Sequence, residues 1–223
     1  GFFMMCEGGK IDWACHANDA GSTVSDTLAL ADAVQVAVDF AKKHPQDTLI
    51  LVTGDHETGG LTIGYAGTDY DTYLTNLTSQ KISYAQFDEQ YVARYKAEKT
   101  SFADAMKDVE ELFGLKLKGS ANDRLVLTAY EVQRLKDAYA LAMSDYDSDA
   151  YTQEQYVLYG TYNPFSVTVT HILNNKSGID FTSYSHTGLP VAVFAEGTGA
   201  ESFGGYYDNT AIYTKLANML KVR

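Results

Sequence analysis

The chain has 223 residues, of which 45% are hydrophobic, and this length suits one α/β domain or a core domain with an insertion. Its formal net charge of −12 disfavours binding to nucleic acid or to an anionic membrane, because both need a basic face. Two cysteines argue against a disulfide-rich scaffold, and the lack of any run of 18 apolar residues argues against a membrane span.

The first half of the chain predicts a strand, a helix and a second strand. Residues 2–6 form a short apolar run typical of a buried strand. Apolar residues recur at helical spacing over 26–44, with Ser25 as the N-cap and a proline after the last turn. Leu49–Val52 is the second buried strand, so the two strands should be parallel within a βαβ unit. Because the chain opens inside a strand-like segment and has no signal peptide, we expect a fragment.

The middle of the chain, residues 65–165, has a different character. It contains 13 of the 17 tyrosines, all of them between residues 65 and 162. Helical periodicity around 84–113 and 128–143 predicts a largely helical insertion or cap, attached through amphipathic tyrosine faces.

Core-like patterns resume near Pro164. Residues 166–174 fit either a helix or a strand, 190–195 predict a buried strand, and 210–220 predict a helix capped by Asp208 or Asn209.

These elements predict an α/β fold with a mostly parallel sheet flanked by helices. The expected segments are a metal-binding core part over 1–64, the helical insertion over 65–165, and a C-terminal core part over 166–223.

Residues that bind hard metal ions cluster next to the predicted strands. Carboxylates and imidazoles at the carboxyl ends of parallel strands gather at one edge of a sheet, where ligands bind. Such groups hold Zn²⁺ in catalytic sites, whereas a shell of carboxylate, carbonyl and water oxygens suits Mg²⁺. The six candidates are Glu7, Asp12, His16, Asp55, His56 and His186. Each one taken alone is more often a capped turn or a surface histidine, so composition leaves the metal and structural interpretations about even.

Three motifs resemble the zinc- and magnesium-dependent alkaline phosphatases. They are EGGKIDWACHAND from Glu7, TGDHETGG from Thr53, and HTG from His186, in the family's order and spacing. The resemblance extends to 193–200 and 208–213, and it is good over 1–64 and 163–223 but weak between them.

The resemblance implies a role for each candidate ligand. Asp12, His16 and His186 match the ligands of the family's first zinc, and Asp55 and His56 match two ligands of its second zinc. Glu7 matches a carboxylate of the magnesium site. The implied reaction is hydrolysis of a phosphomonoester through a phosphoserine intermediate, with the attacking and departing oxygens held by a pair of cations.

The family's nucleophilic serine and phosphate-binding arginine have no match in this sequence. The only Asp-Ser pair, Asp147-Ser148, is followed by Asp149 in the polar middle segment, and the first arginine is Arg94. We therefore expect the C-terminal part of an alkaline phosphatase, with no catalytic residues of its own, one zinc ion at most and little activity alone.

Two other functions stay open at this point. The chain could be a non-catalytic metal-binding module that complements a partner, or part of another hydrolase of the same superfamily. Family resemblance implies a periplasmic or extracellular protein and a phosphate monoester substrate, and it leaves a homodimer open.

Several residues outside the candidate ligand set have other expected roles. Cys6 and Cys15 are expected to be buried free thiols, although a disulfide between them is an alternative. His171 matches no ligand motif and is interpreted as structural, whereas Glu57 and Thr58 are hypothesised to orient Asp55 and His56. Trp13 fits a pocket wall or simple packing equally well, and His44 is expected to cap its helix.

Overall fold

A computed structural model describes residues 1–222. Within these residues the helices are α1 (Gly9–His16), α2 (Ala20–Lys43), α3 (Tyr84–Phe87), α4 (Ala93–Glu98), α5 (Phe102–Phe113), α6 (Ala129–Ala142), α7 (Gln153–Tyr159), α8 (Pro164–Ser177) and α9 (Ala211–Leu220). The strands are β1 (Leu49–Val52), β2 (Glu57–Thr58), β3 (Thr62–Ile63), β4 (Ile179–Asp180), β5 (His186–Thr187) and β6 (Phe194–Gly197). A π-helical turn over Asp88–Val92 joins α3 to α4. Every helix within the described part is too short or too polar to cross a lipid bilayer.

The chain forms two compact units, each built from two separate stretches of sequence. The first unit comprises residues 1–27 and 58–185, and the second comprises residues 28–57 and the chain from 186 onward.

In the first unit, α1 leads directly into α2 through a tight turn. Asp19, just before α2, accepts a hydrogen bond from the backbone N–H of Ser22 at 3.0 Å, as an N-cap side chain does. The helix therefore begins at Ala20, and the prediction that Ser25 caps it is wrong, because Ser25 lies inside the helix. The last helical residue is Lys43, two positions before Pro45.

The main hydrophobic core lies in the first unit, among the helices of the middle segment and α8. Its fully buried large side chains include Phe87, Tyr95, Met106, Phe113, Leu135 and Phe165. Several of the aromatic rings meet edge to face, as between Phe87 and Phe113, whose centroids are 5.0 Å apart. The helices predicted around 84–113 and 128–143 are present. They enclose this core, whereas the sequence suggested an insertion attached through amphipathic tyrosine faces.

Local signals explain where the helices of this unit begin and end. Thr128 and Glu131 form a capping box at the start of α6. Asn163 caps α8, a proline occupies its first turn, and Gly178 ends it with φ at +78°. The ambiguous segment 166–174 is thus a helix.

In the second unit, β1 and β6 form an antiparallel pair in which Leu49 lies opposite Gly197 and Val52 lies opposite Phe194. The predicted strand at 190–195 therefore begins later, at Phe194, and most of it is exposed. The predicted final helix is present as α9, and Asp208 accepts hydrogen bonds from the backbone N–H and hydroxyl of Thr210 just before it.

The predicted βαβ unit does not form. Residues 2–6 adopt no regular secondary structure, and Phe2 and Met5 are 76% and 80% exposed. A strand exists only through its ladder of hydrogen bonds to a neighbour, and the strands within residues 1–222 pair among themselves as β1–β6, β2–β5 and β3–β4. The β1–β6 and β3–β4 pairs are antiparallel, so the mostly parallel sheet expected from the sequence is not seen.

Candidate metal centre

Helix α1 places two of the candidate ligands, Asp12 and His16, side by side. They stand four residues apart, which puts them on one face of a helix. The imidazole Nε2 of His16 lies 3.5 Å from Oδ2 of Asp12. Both side chains are partly exposed, so a solvated ion can reach them.

Neighbouring groups fix the orientation of both side chains. Nδ1 of His16 lies 2.6 Å from the backbone carbonyl oxygen of Tyr184. A carbonyl only accepts, so Nδ1 carries the hydrogen and donates it. On the other side, the hydroxyl of Thr58 donates to Oδ1 of Asp12 at 2.6 Å.

These contacts place Nε2 of His16 opposite Oδ2 of Asp12. With Nδ1 carrying its hydrogen, Nε2 presents a lone pair in the neutral form of the ring, which is the form that binds metals. Two acceptor atoms at this distance repel each other unless a proton or a cation lies between them. Two ligand atoms at about 2.0 Å from a tetrahedral zinc ion stand roughly 3.3 Å apart, close to the 3.5 Å separation found here. The Asp12–His16 pair therefore fits a divalent cation.

Glu7 lies in the exposed segment just before α1. Its carboxylate turns back over the first residue of the helix, with Oε1 3.0 Å from the position that a Cβ on Gly9 would occupy. Next to Asp12, Trp13 is 58% exposed, and the Nζ atom of Lys10 lies 3.8 Å from the centroid of its ring. The wall and packing roles expected for Trp13 are thus joined by a cation–π contact.

Three further candidates lie in the second unit. The rings of His56 and His186 stack with centroids 3.4 Å apart and planes 20° from parallel. Nε2 of His56 is 3.4 Å from Oδ2 of Asp55, and the backbone carbonyl of Asp55 accepts a hydrogen bond from the side chain of Asn209. Two imidazoles and a carboxylate are thus concentrated where the chain leaves β1 and enters β5.

The orienting partners differ from those that the sequence suggested. Thr58 was expected to support Asp55 and His56, but its hydroxyl bonds Asp12. Glu57 accepts a hydrogen bond from the hydroxyl of Thr187. The carbonyl of Tyr184 was not foreseen, since a backbone acceptor carries no residue signature.

Within residues 1–222 neither cysteine forms a disulfide bond, and only Cys15 is buried. Cys15, on α1, is buried and lies 3.5 Å from the hydroxyl oxygen of Thr23. Cys6 is exposed, so the expectation that both would be buried is wrong for this residue. Its segment is the one that forms no strand.

Comparison with known proteins agrees with the motifs. The family model described as alkaline phosphatase matches residues 1–222. Alkaline phosphatase 4 and alkaline phosphatase 3 of Bacillus subtilis (strain 168) are 34% and 32% identical to the chain over 221 residues. Each alignment covers 99% of this chain and 40% of the relative, so the chain spans about two fifths of the length of these curated relatives.

Solved structures show the same relationship. The cold-active alkaline phosphatase from a psychrophilic Shewanella species superposes with a TM-score of 0.71 at 28% identity, covering 96% of this chain and 44% of that one. The fold of the Thermus thermophilus alkaline phosphatase is also similar, with a TM-score of 0.70 at 24% identity over 97% of this chain and 43% of that one. These matches confirm the predicted class of fold, an alkaline-phosphatase-like fold with a large helical content. The chain belongs to the alkaline phosphatase family.

Proposed function

We propose that this chain is the C-terminal, metal-binding part of an alkaline phosphatase that hydrolyses phosphate monoesters. The observation that carries the proposal is the Asp12–His16 pair, in which Nε2 and Oδ2 lie at a separation suited to two ligands of one cation. Family membership adds the reaction class, since the relatives named above are alkaline phosphatases.

The six candidate residues are proposed to divide between three metal positions. Asp12, His16 and His186 hold the first zinc ion, and Asp55 and His56 belong to the second. Glu7 contributes a carboxylate to a magnesium ion. When bound, these cations neutralise the negative charge on the attacking and departing oxygens of the phosphoryl group.

The work of the chain's own groups is to hold the ligands in place. The Tyr184 carbonyl fixes the tautomer of His16 so that Nε2 is available to a cation. The Thr58 hydroxyl occupies one oxygen of Asp12 and leaves the other facing His16. Such support limits the reorganisation needed when a cation binds.

The nucleophile is proposed to lie outside these 223 residues. Ser148 stands in a short 3-10 turn, Ser148–Ala150, preceded by Asp147 and followed by Asp149, and it matches no motif of the family. Without a positioned serine and a phosphate-binding arginine, most of the rate acceleration is lost. We expect no more than trace hydrolysis of 4-nitrophenyl phosphate by this chain with zinc and magnesium added.

Zinc binding tests the proposal without requiring activity. The chain is loaded with zinc, passed through a desalting column, and its metal content is measured by mass spectrometry. We expect about one zinc ion per chain, lost in Asp12→Asn and retained in His44→Gln. His44 is a matched control because it stacks on Phe40 at the end of α2 and belongs to none of the motifs.

Three results would count against this function. Absence of zinc at saturating concentration would remove the proposed first metal position. Rapid turnover of 4-nitrophenyl phosphate by the isolated chain would show that the nucleophile lies within it. Zinc binding to a chain that stays inactive even when combined with the remainder of its parent protein would favour a non-catalytic module. The proposed location, periplasmic or extracellular, follows from the family alone.

A further inference from the structure

A cavity in the first unit has no assigned role. Its volume is about 520 Å³, within the usual range for small-molecule sites, and its lining is mostly polar. None of the six candidate metal ligands lines it. The side chains that matter for its chemistry are those of Arg134, His171 and Asp180, together with the rings of Tyr156 and Tyr184.

The positive group of the cavity is Arg134, on α6. Among residues 1–222 its guanidinium has no carboxylate within 4.0 Å and donates no hydrogen bond, and the nearest aromatic contact is Tyr130, with the ring centroid 5.8 Å away. A guanidinium presents five N–H donors in a planar fork that suits a carboxylate or a phosphate. Arg134 thus offers a recognition group that the described chain leaves unused.

The negative group is Asp180, in β4. Its Oδ1 accepts hydrogen bonds from two neutral donors, the side-chain amide of Asn175 at 3.3 Å and the backbone N–H of Phe181 at 3.0 Å. No cationic side chain of the described residues lies within 4.0 Å of it, Arg134 included. Two opposite charges therefore line one cavity without forming an ion pair.

The third group is the imidazole of His171, on α8. Its Nε2 is buried and has no hydrogen-bond partner within residues 1–222. Burial, with a smaller contribution from the charge of Arg134, lowers the pKa of His171 to about 4, so the ring is neutral near pH 7 and adds no charge to the cavity.

We propose that this cavity binds a small zwitterion, an α-amino acid, with its carboxylate on Arg134 and its ammonium donating to Asp180. A simple anion would meet the repulsion of Asp180, and a simple cation would meet that of Arg134. A ligand carrying both charges satisfies both groups. The rings of Tyr156 and Tyr184, with centroids 6.1 Å apart, offer an apolar surface to the ligand's side chain.

Matched ligands test the proposal on the unmodified 223-residue chain. L-Valine is compared with 3-methylbutanoate, which lacks the ammonium, and with isobutylamine, which lacks the carboxylate, in ligand-observed NMR titrations. We expect L-valine to bind at least tenfold more tightly than either analogue. Equal affinity for all three, or tighter binding of one analogue, would overturn the proposal.

Variants locate the binding site. Arg134→Gln and Asp180→Asn should each weaken L-valine binding at least tenfold, because each removes one charge-assisted contact. Arg124→Gln is the matched control, since that guanidinium stacks 3.4 Å from the ring centroid of Tyr73 and does not line the cavity. Unchanged affinity in folded Arg134→Gln would refute the assignment. The measurements use neither metal nor turnover, so their outcome is independent of the proposed phosphatase function.

Discussion

Replacing Asp19 by asparagine probes the junction that holds the ligand-bearing helix α1 on the first unit. The Asp19 side chain is fully buried and accepts four hydrogen bonds. Oδ1 receives the backbone N–H of Ser22 at 3.0 Å and the amide of Gln80 at 2.7 Å. Oδ2 receives the hydroxyl of Ser22 at 2.7 Å and the backbone N–H of Tyr84 at 2.9 Å. The carboxylate therefore joins the start of α2 to the segment that enters α3.

The cost of Asp19→Asn follows from these four donors. An amide retains one oxygen and places an NH₂ group where the other oxygen was. With the amide oxygen in place of Oδ1, the N–H of Tyr84 faces another donor and is left buried without an acceptor, which costs about 1–3 kcal/mol. Burial raises the pKa of Asp19, so removing its charge returns part of that loss. We expect a net destabilisation of about 2 kcal/mol.

Urea unfolding followed by far-UV circular dichroism measures this change at neutral pH. Asp137→Asn serves as the control, because that carboxylate on α6 is exposed and, among residues 1–222, accepts only the amide of Gln133. It should change the free energy of unfolding by no more than about 0.5 kcal/mol. If Asp19→Asn falls within the same limit, the four-donor arrangement does not exist in solution as described.

Three other predictions address the core, the pH response and the metal site. Phe165→Ala should lower the free energy of unfolding by about 3–5 kcal/mol, because this ring is fully buried. Tyr130→Ala, at a 71% exposed position, should lower it far less, and equal losses in the two variants would contradict the described core. Burial raises the pKa of Asp88 to about 6, above its unfolded value of 3.8, so the folded chain keeps a proton that the unfolded chain has lost. The free energy of unfolding from urea titrations should therefore fall by on the order of 2 kcal/mol between pH 4 and pH 6. Asp88→Asn should abolish this part of the pH dependence, and an identical pH dependence in the variant would refute the assignment. Thr58→Val should weaken zinc binding about 10- to 100-fold in calorimetric titrations, because its hydroxyl bonds Asp12. The control Thr27→Val removes an intrahelical hydroxyl contact and should leave the zinc affinity unchanged. Unaltered affinity in Thr58→Val would show that its hydroxyl does not support the site.

The helices were the most predictable part of the fold, because their signals are local. Thr128 and Glu131 mark the start of α6 in the sequence itself, and the apolar spacing of 210–220 specifies α9. Strands depend on neighbours that the sequence does not name. Residues 2–6 have the composition of a buried strand and form none, and the antiparallel partner of β1 lies far along the chain.

In the candidate site, too, local features could be predicted from the sequence and contacts between distant segments could not. The motifs named Asp12 and His16 as metal ligands but predicted no helix around them; the structure places both on α1, with side-chain atoms at a ligand-like separation. The contact of Thr58 with Asp12 joins segments 46 residues apart, and no periodicity reports it. The assignment of all six ligands, and the division into parts 1–64, 65–165 and 166–223, stay predictions.

The pairing of β1 with β6 has a consequence for biosynthesis. The two strands are more than 140 residues apart in sequence, so β1 emerges from the ribosome long before its partner exists. At translation rates of about 5–20 residues per second, the interval is about 7–30 s. For that time the apolar segment Leu49–Val52 lacks the hydrogen-bonding neighbour that it has in the finished chain. Nascent chains that end before residue 194 should therefore depend on chaperones more strongly than the completed chain does.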